Sequence, residues 1–446
     1  MLEGMGRHRT CETSVAVTVR VAAHGEKTGP ATAAAYHQPG QASYRRLVLA
    51  LFAAGMATFA ALYSTQPLLG VLAQRFAIPV SRAAWSVSAA TVLLGIGMVM
   101  AGPLSNRYGR VRMINASLVV TAALGAACAL APSWPALLVL RAGQGLALAG
   151  VPAVAMVYLR EEVHLSVHPR TTGLYIGGTA IGGMTGRLLA GGVADLVGWR
   201  WALAAIAVLG GLCAIAVIKW LPASRHHNPL ERQRSGRAAT GASTTTVPAW
   251  RLSARATARV LHDSLLRRLN VVAFVAMGAF VAIYNVLGLR LTSLPFHLSV
   301  FQASLVFAVY PLGSAASAFA GRLAEKAGRP IVILAGSLFA VAGVAVTLGS
   351  ALSMVVAGVA MITVGFFATH GVASGWAAAV GQRRHHAASE ASACYLLAYY
   401  RGSSVFGVAG TALWAFGRWP VVAVMAAILL LIPAALAVRL SAADHS

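Results

Sequence analysis

The sequence is divided into long apolar runs, each close to the length that crosses a lipid bilayer. Twelve such runs can be marked, at 47–71, 83–105, 112–131, 136–159, 171–194, 199–221, 269–292, 299–322, 330–350, 353–379, 389–414 and 419–439. About 20 apolar residues span the hydrocarbon core as a helix. Because every backbone polar group inside lipid must be satisfied within the protein, the runs are predicted to be transmembrane helices.

The composition agrees with a membrane protein and argues against other partners. The chain is 58% hydrophobic and 10% charged, with a formal net charge of +24. Its basic residues lie in tails and alternate loops, not in a folded patch with interleaved aromatics, so we expect a lipid bilayer and no nucleic acid as partner. The four cysteines have no metal-like spacing. We therefore expect no disulfide, no metal and no cofactor.

The loops alternate between basic and nearly neutral. One side receives the arginines at 45, 46, 107, 110, 112, 160, 170, 322, 329, 383 and 384 and those of the long segment before the seventh run. The other side receives only Arg75, Arg82, Arg200, Arg290 and Arg418. The basic side is predicted to be cytoplasmic, which places both termini in the cytoplasm.

A glycine-bearing motif occurs twice. Gly102 to Arg112 reads GPLSNRYGRVR, and Gly321 to Pro330 reads GRLAEKAGRP; at the same offset, Gly109 matches Gly328 and Arg110 matches Arg329. Such an echo at half the chain length predicts a duplicated unit. We expect an all-α integral membrane protein with a disordered cytoplasmic tail (1–44), a six-helix bundle (45–221), a basic linker (222–268), a second six-helix bundle (269–440) and a short tail (441–446).

The motif resembles the loop between the second and third helices of major facilitator superfamily transporters, G-x-L-x-D-R-x-G-R-[RK]. Asn106 stands where that family has Asp, whereas Glu325 keeps a carboxylate in the second copy. FAALYSTQPLLGVLAQRF, GLYIGGTAIGGMTGRLLAG and GFFATHGVASGW also resemble the YnfM-type bacterial inner-membrane exporters, within the drug and sugar efflux branch.

This resemblance implies a monomeric transporter of the bacterial inner membrane that works by alternating access and exports a small organic solute in exchange for protons. An uncoupled facilitator, or a proton-symport importer of an anionic or neutral metabolite, stays open as an alternative. An enzyme is not expected, because the short extracellular loops offer no catalytic surface and the sequence has no Walker-type phosphate loop.

Four charged or titratable residues fall inside the runs: Arg141, Arg187, His370 and Arg401. An arginine at the bilayer centre costs about 2.5–3.5 kcal/mol on insertion scales, so each needs a partner, water or a function. No Asp or Glu falls in the middle of a run. Several interior cations without a carboxylate favour anionic or neutral substrates, such as organic or sugar acids.

Each of these residues also has a structural interpretation. Arg141, in LRAGQG, resembles a fourth-helix signature of proton-coupled family members, but an arginine near a helix end can also snorkel to the interface. Arg187 follows glycines at four-residue spacing and is a candidate substrate contact, although those glycines could serve close helix packing alone.

Arg401 could stack on neighbouring tyrosines or contact substrate. His370 could carry a proton or act as a core histidine. Because the interior lacks a carboxylate, Asp195 or Glu390 at span ends could replace His370 as proton carrier. Tyr63, Gln66, Gln144, Asn285 and Trp376 are uncharged cavity candidates, for which ordinary interhelical packing is the alternative.

The motif predicts two cytoplasmic gates. Glu161 and Glu162 end the fourth run near Arg107 and Arg110, where an ion pair would lock one gate. Asn106 could accept a hydrogen bond from the N-terminal amides of the eleventh helix, and Glu325 could do so with charge at the start of the fifth. The predicted gating residues are Gly102, Asn106, Arg107, Gly109, Arg110, Glu161, Glu162, Gly321, Glu325 and Arg329.

Overall fold

A computed structural model describes residues 36–164, 167–224 and 249–444. Apart from an isolated bridge between His37 and Val163, the regular structure in these ranges is helical. The chain separates into units 1–36 and 37–446, and the features below belong to the second. The predicted disordered tail lies outside the described residues up to position 35, and the first helix begins at Ala42.

Twelve membrane spans run through the described part of the chain. Spans 1 to 6 are Ala42–Tyr63, Trp85–Tyr108, Arg110–Ala129, Trp134–Leu148 continued by Gly150–Glu162, His168–Val197 and Trp199–Trp220. Spans 7 to 10 are Ser264–Thr292, the sequence of helices Val300–Ser304, Leu305–Val309 and Tyr310–Ala327, then Arg329–Val346 and Leu352–His385. The helix Ala388–Asp444 supplies spans 11 and 12, separated at non-helical Gly417 and Arg418.

Ten helical stretches are long and apolar enough to cross a membrane, and the kinked helix Ala388–Asp444 counts as one of them. The remaining span is His168–Val197, which has 30 residues but is glycine-rich and contains Arg187. The prediction of twelve transmembrane helices in two bundles of six is therefore confirmed. We call spans 1–6 the first half and spans 7–12 the second half.

The two glycine motifs lie at the same end of the bundle. We call this the motif end, and we call the opposite end, with residues 64–84 and 293–299, the distal end. Gly109 and Gly328, at matching positions of the two motifs, have φ of +95° and +89°. Glycine adopts this backbone conformation without steric cost, so the turn itself explains why both motifs need glycine there.

Glycines also bring spans together inside each half. A Cβ on Gly182 of span 5 would lie 2.2 Å from the carbonyl oxygen of Met56 in span 1. In the second half, a Cβ on Gly402 of span 11 would overlap the Phe274 carbonyl oxygen of span 7. Close packing, one of the two interpretations of the span 5 glycines, is thus present in both halves.

The long connection between the halves contains a helix that the sequence reading missed. Ala249–His262, the linker helix, precedes span 7 and buries Ala256 and Val260 among residues of spans 7 and 12. Asp263 then caps span 7, accepting hydrogen bonds from the backbone N–H groups of Leu265 and Leu266. The end of the predicted linker is therefore folded against the second half.

Candidate substrate site and gates

Arg187 of span 5 is a buried cation that is surrounded by hydrogen-bond acceptors and aromatic rings. Its side chain is 1% exposed. Nε donates to Gln66 Oε1 (2.6 Å), Nη1 to the Gly183 carbonyl (2.6 Å) and Nη2 to the Tyr310 hydroxyl (3.2 Å). None of these partners is an acid. The site therefore holds a full positive charge with neutral ligands only.

Aromatic rings complete the surroundings of this guanidinium. Its central carbon lies 4.4 Å from the ring centre of Tyr63, 4.7 Å from Tyr310, 5.0 Å from Phe307 and 5.9 Å from Tyr284. The negative face of an aromatic ring attracts a cation, and the attraction grows when water is excluded. Three of the rings come from the second half, so Arg187 lies where the halves meet.

Gln66 connects the same cluster to span 7. It lies in the turn after span 1, and its Nε2 donates to Asn285 Oδ1 at 2.7 Å. Asn285 Nδ2 in turn donates to the Gly407 carbonyl of span 11 at 3.2 Å. Gln66 and Asn285 are 219 residues apart, the same offset as the two glycine motifs. Arg187, Gln66, Tyr63 and Asn285, all predicted site residues, thus form one buried cluster.

The second half faces this cluster with a continuous group of aromatic rings. Phe280 stacks on Tyr284 and on Phe366, with ring centres 4.4 Å and 4.1 Å apart. Phe367 contacts the edges of Phe280, Phe366 and Tyr310. His370 continues the group, because its ring is parallel to that of Phe366. We call these six residues, with Tyr399, the aromatic wall.

Further hydrogen bonds join the halves near the distal end. Asp195, at the end of span 5, accepts from the backbone N–H groups of Val300 (3.1 Å) and Phe301 (2.9 Å) at the start of span 8. Ser404 of span 11 bonds to Thr91 of span 2 at 2.7 Å and to the Ser88 carbonyl. A carboxylate at a helix N-terminus is a favourable contact. The distal end is therefore closed by polar contacts between the halves.

The predicted gate contacts at the motif end are different. The side chains of Asn106 and Glu325 make no hydrogen bond to any described residue, and Arg107 lies over the ring of Tyr108. Arg110 forms the expected ion pair with Glu161, through Nε (3.1 Å) and Nη2 (2.9 Å). Both partners belong to the first half, so the pair fastens the motif to span 4 and does not bridge the halves.

Glu162, the second acid predicted near Arg107 and Arg110, has other partners. It accepts from the Ser224 hydroxyl, while its carbonyl accepts from the His37 backbone N–H. The expectation of an ion pair between this residue and the motif arginines is therefore not met by these contacts. Glu162 instead joins the segments before span 1 and after span 6.

The second motif borders a cavity. Gly321, Glu325 and Arg329 line a space of about 590 Å³ together with Arg383 and Trp376 of span 10. The Arg329 guanidinium lies 6.0 Å from the Trp376 ring centre. Trp376, predicted as a cavity residue, is 4% exposed and lies at the motif end, away from Arg187. The matching arginine of the first motif binds a carboxylate instead.

Arg141 and Gln144 form a separate pair within the first half. Arg141 donates from Nε to the Ser86 carbonyl (2.9 Å), from Nη1 to Ala61 (2.9 Å) and from Nη2 to Leu62 (2.6 Å). Gln144 accepts from Arg141 and donates to the Thr121 carbonyl of span 3. The arginine is 1% exposed, so it does not snorkel to the interface in this conformation. It binds spans 1, 2 and 4 together.

His370 and Arg401 lie on different surfaces. His370 Nδ1 lies 3.1 Å from the Tyr395 hydroxyl, and its ring centre is 4.7 Å from that of Tyr399. Arg401 is exposed and has no hydrogen bond, ion pair or ring contact among the described residues. The interpretation that Arg401 stacks on neighbouring tyrosines is wrong. It lies on the face of span 11 that carries exposed Val405, while Tyr400 points to span 2.

Comparison with known proteins decides the family. The sequence pattern of the Major Facilitator Superfamily matches residues 48–408. The chain belongs to this superfamily. It is 34% identical over 399 residues to the MFS-type transporter YybF of Bacillus subtilis (strain 168), covering 89% of this chain and 94% of that protein. It is 37% identical over 407 residues to the inner membrane transport protein YnfM of Escherichia coli (strain K12), covering 91% and 93%.

A solved transporter structure has the same fold. A bacterial homologue of the human lysosomal transporter Spinster, in an inward-facing and occupied conformation, superposes with a TM-score of 0.68 at 16% identity, covering 90% of this chain and 97% of that one. At that identity the likeness concerns the fold. The chain is therefore a multi-pass membrane transporter of the superfamily.

The sequence reading missed most of the second half's contribution. The aromatic residues that it contributes lie in apolar runs, where such residues are common and do not by themselves indicate a binding site. They include Tyr284, Phe307, Tyr310 and Phe366. The hydroxyl groups of Tyr284 and Tyr310 could have indicated polar partners inside the bundle, since a buried phenol usually needs a hydrogen-bond partner. Asp195 was considered as a proton carrier, but its contact between spans 5 and 8 was not foreseen.

Proposed function

We propose that this transporter exports a small organic anion in exchange for protons, with Arg187 as the group that recognises the anion. The single observation that supports this is the charge of Arg187, buried at the contact between the halves without an acidic partner among the described residues. Buried charges in membrane spans are rare and usually functional. A substrate carboxylate would supply the missing negative charge.

The aromatic wall sharpens the substrate class. Arg187 comes from the first half, whereas Phe280, Phe366 and Phe367 come from the second. A solute held between them needs a carboxylate at one end and an apolar, preferably planar body at the other. A small aromatic carboxylate meets both requirements.

Alternating access follows from the two ends of the bundle. The distal end is held by Asp195, Gln66 and Ser404, while Asn106 and Glu325 at the motif end are without hydrogen-bond partners among the described residues. In the opposite conformation we expect the distal bonds to break. Asn106 would then meet the start of span 11, and Glu325 the start of span 5. The motif end is cytoplasmic in this proposal, as are both termini.

Proton coupling requires a titratable group that can carry the proton across the membrane. His370 lies on the aromatic wall beside Tyr395 and Tyr399 and is the candidate carrier. Asp195 is already used in the distal closure, and Glu390 lies at the first turn of span 11. The lack of an interior carboxylate favours, as a second candidate, an uncoupled facilitator or a proton-symport importer of an anionic or neutral metabolite.

A solute panel in inverted membrane vesicles tests these proposals. Benzoate, simple aliphatic carboxylates, sugar acids and cationic dyes are offered with and without an imposed pH gradient. We expect accumulation of benzoate or a related aromatic carboxylate, accompanied by proton efflux from the vesicle. Transport of the anion without proton movement would contradict proton exchange and support the uncoupled facilitator. Tight binding of cationic dyes, undiminished in Arg141→Ala and Arg187→Ala, would overturn anion recognition.

A further inference from the structure

The linker helix and the start of span 7 present arginines at the edge of the second half, Arg255 and Arg259 on the former and Arg267 and Arg268 on the latter. The side chains of Arg255, Arg259, Arg267 and Arg268 are all exposed, and none of these side chains makes a hydrogen bond or ion pair with another described residue. Arg255 and Arg259 are four residues apart and so lie on one side of the helix. Four unpaired cations within 14 residues form a strongly positive surface, which we call the linker arginines.

The position of the linker helix is fixed by the spans below it. Ala256 and Val260 are buried in a cluster with Leu266 and Leu269 of span 7 and Leu440 of span 12. The helix therefore rests on span ends, where a bilayer places its headgroups. Leu261 is 49% exposed beside the basic residues. An apolar side chain next to arginines on a docked amphipathic helix is typical of a membrane interface.

The carboxylate nearest to these arginines in sequence, Asp263, forms its ion pairs with other residues. Asp263 is bound by Arg384 Nη1 at 3.1 Å and by His385 Nε2 at 3.0 Å, besides capping span 7. Partial burial alone would raise the pKa of the Asp263 carboxyl, but the Leu266 N–H, His385 and Arg384 outweigh it and lower the pKa to about 2. The carboxylate thus stays ionised and is bound by Arg384 and His385 of span 10.

We propose that the linker arginines bind the phosphate groups of anionic lipids and so anchor the linker helix to the membrane surface. Each arginine near an anionic leaflet attracts it electrostatically, and guanidinium groups suit phosphate oxygens. Lipid is favoured over a soluble partner because the helix lies at span ends with Leu261 exposed toward the same region. The anchoring holds the junction between linker and span 7 at headgroup level.

Hydrogen exchange of the full-length protein in nanodiscs tests the proposal. Amide protection of residues 255–262 is measured in phosphatidylcholine and in phosphatidylcholine with phosphatidylglycerol. We expect the anionic lipid to slow exchange at least about tenfold, and the triple variant Arg255→Gln, Arg259→Gln, Arg267→Gln to lose this effect. The matched control Arg45→Gln, Arg46→Gln, Arg112→Gln removes the same charge from the first half and should keep it.

Three outcomes would overturn the proposal. One is equal exchange in both lipids. Another is equal loss of protection in the two triple variants, which would indicate a general charge effect. The third is full protection on adding inorganic phosphate to protein in phosphatidylcholine alone, which would assign the surface to a soluble anion. None of these measurements uses a transport substrate, so they stand apart from the test of anion export.

Discussion

The two halves share an architecture but differ in what they place at their contact. The first half contributes Arg187 and Gln66, while the second contributes the aromatic wall and Asn285. In both halves an arginine at the distal end also binds two carbonyls where a span ends: Arg200 of span 6 at the end of span 3, and Arg290 of span 7 at the end of span 9. The contacts that hold the spans together are therefore similar in the two halves. The groups that face a solute differ: the charge comes from the first half and most of the aromatic rings from the second.

The two glycine motifs show the same division. Their turns match, with positive φ at Gly109 and Gly328. Their arginines do not: Arg110 pairs with Glu161, and Arg329 lies over Trp376 beside the cavity. The two turns therefore have the same backbone conformation, whereas the contacts of their arginine side chains differ.

The largest effect is expected from the packing that both halves share. Gly182→Val and Gly402→Val each place a branched side chain against the backbone of the neighbouring span, so neither variant should yield folded protein. Monodispersity in detergent after purification measures this. Gly177→Ala is the matched control, because no atom lies within 4 Å of its added Cβ. A folded Gly402→Val protein would show that the second half is packed less tightly.

Arg187→Met should lower the initial rate of transport of the anion identified in the vesicle panel by about a hundredfold or more, because the charge that binds the carboxylate is lost. Arg187→Lys should restore only part of the activity, since it keeps the charge but loses the fork of donors. Initial rates over a range of solute concentrations measure this. Arg46→Gln, at an exposed arginine near the start of span 1, is the control; an equal loss there would remove the special role of Arg187.

Arg141→Met should act on stability. It removes the three hydrogen bonds that Arg141 donates to the carbonyls of Ala61, Leu62 and Ser86, at a cost of about 3 kcal/mol in total. We expect the unfolding temperature in detergent to fall by several degrees, with Arg401→Met unchanged. If Arg141→Met keeps its stability and loses proton-driven transport, the resemblance to the fourth-helix signature describes its role better than the carbonyl contacts do.

Asn285→Ala should loosen the distal closure. It leaves Gln66 Nε2 unpaired between the halves, which costs about 1 kcal/mol and shifts the conformational equilibrium several-fold toward a distally open state. Spin labels on cysteines placed at Arg82 and Leu294 report the separation by pulsed electron resonance. Gln302→Ala serves as the control, because Gln302 bonds to Ser299 within the second half. Identical distance distributions in the two variants would contradict a closing role for the amide pair.

The smallest effect concerns the motif end. Asn106→Asp would restore the acid that the family motif usually has and strengthen the expected contact with the start of span 11, so opening at that end should slow a few-fold. Stopped-flow fluorescence of a probe at the motif end, with Asn106→Ser for comparison, measures the rate. Unchanged kinetics in Asn106→Asp would count against this gate.

The fold could be read from the sequence because hydropathy and the repeated motif are local signals. Contacts across the interface could not, since they depend on how each span is rotated about its axis. Arg187 and Gln66 were both candidates, but nothing in the sequence places Tyr310 beside them. Arg401 illustrates the reverse case: its neighbours in sequence are tyrosines, yet it lies on another face of the helix. The linker helix was missed although Arg251, Arg255 and Arg259 recur every four residues.

The hydrogen bond between Gln66 and Asn285 also shows how the halves depart from exact twofold symmetry. In a pair of identical six-helix subunits, a residue on the rotation axis meets its own copy, and neither amide is distinguished as donor or acceptor. In this single chain the two positions, 219 residues apart, carry different residues, so that equivalence is absent. Here the amide of Gln66 donates and its oxygen is left for the guanidinium. The two halves therefore have different roles in a single contact, which an exact twofold pair of subunits would not allow.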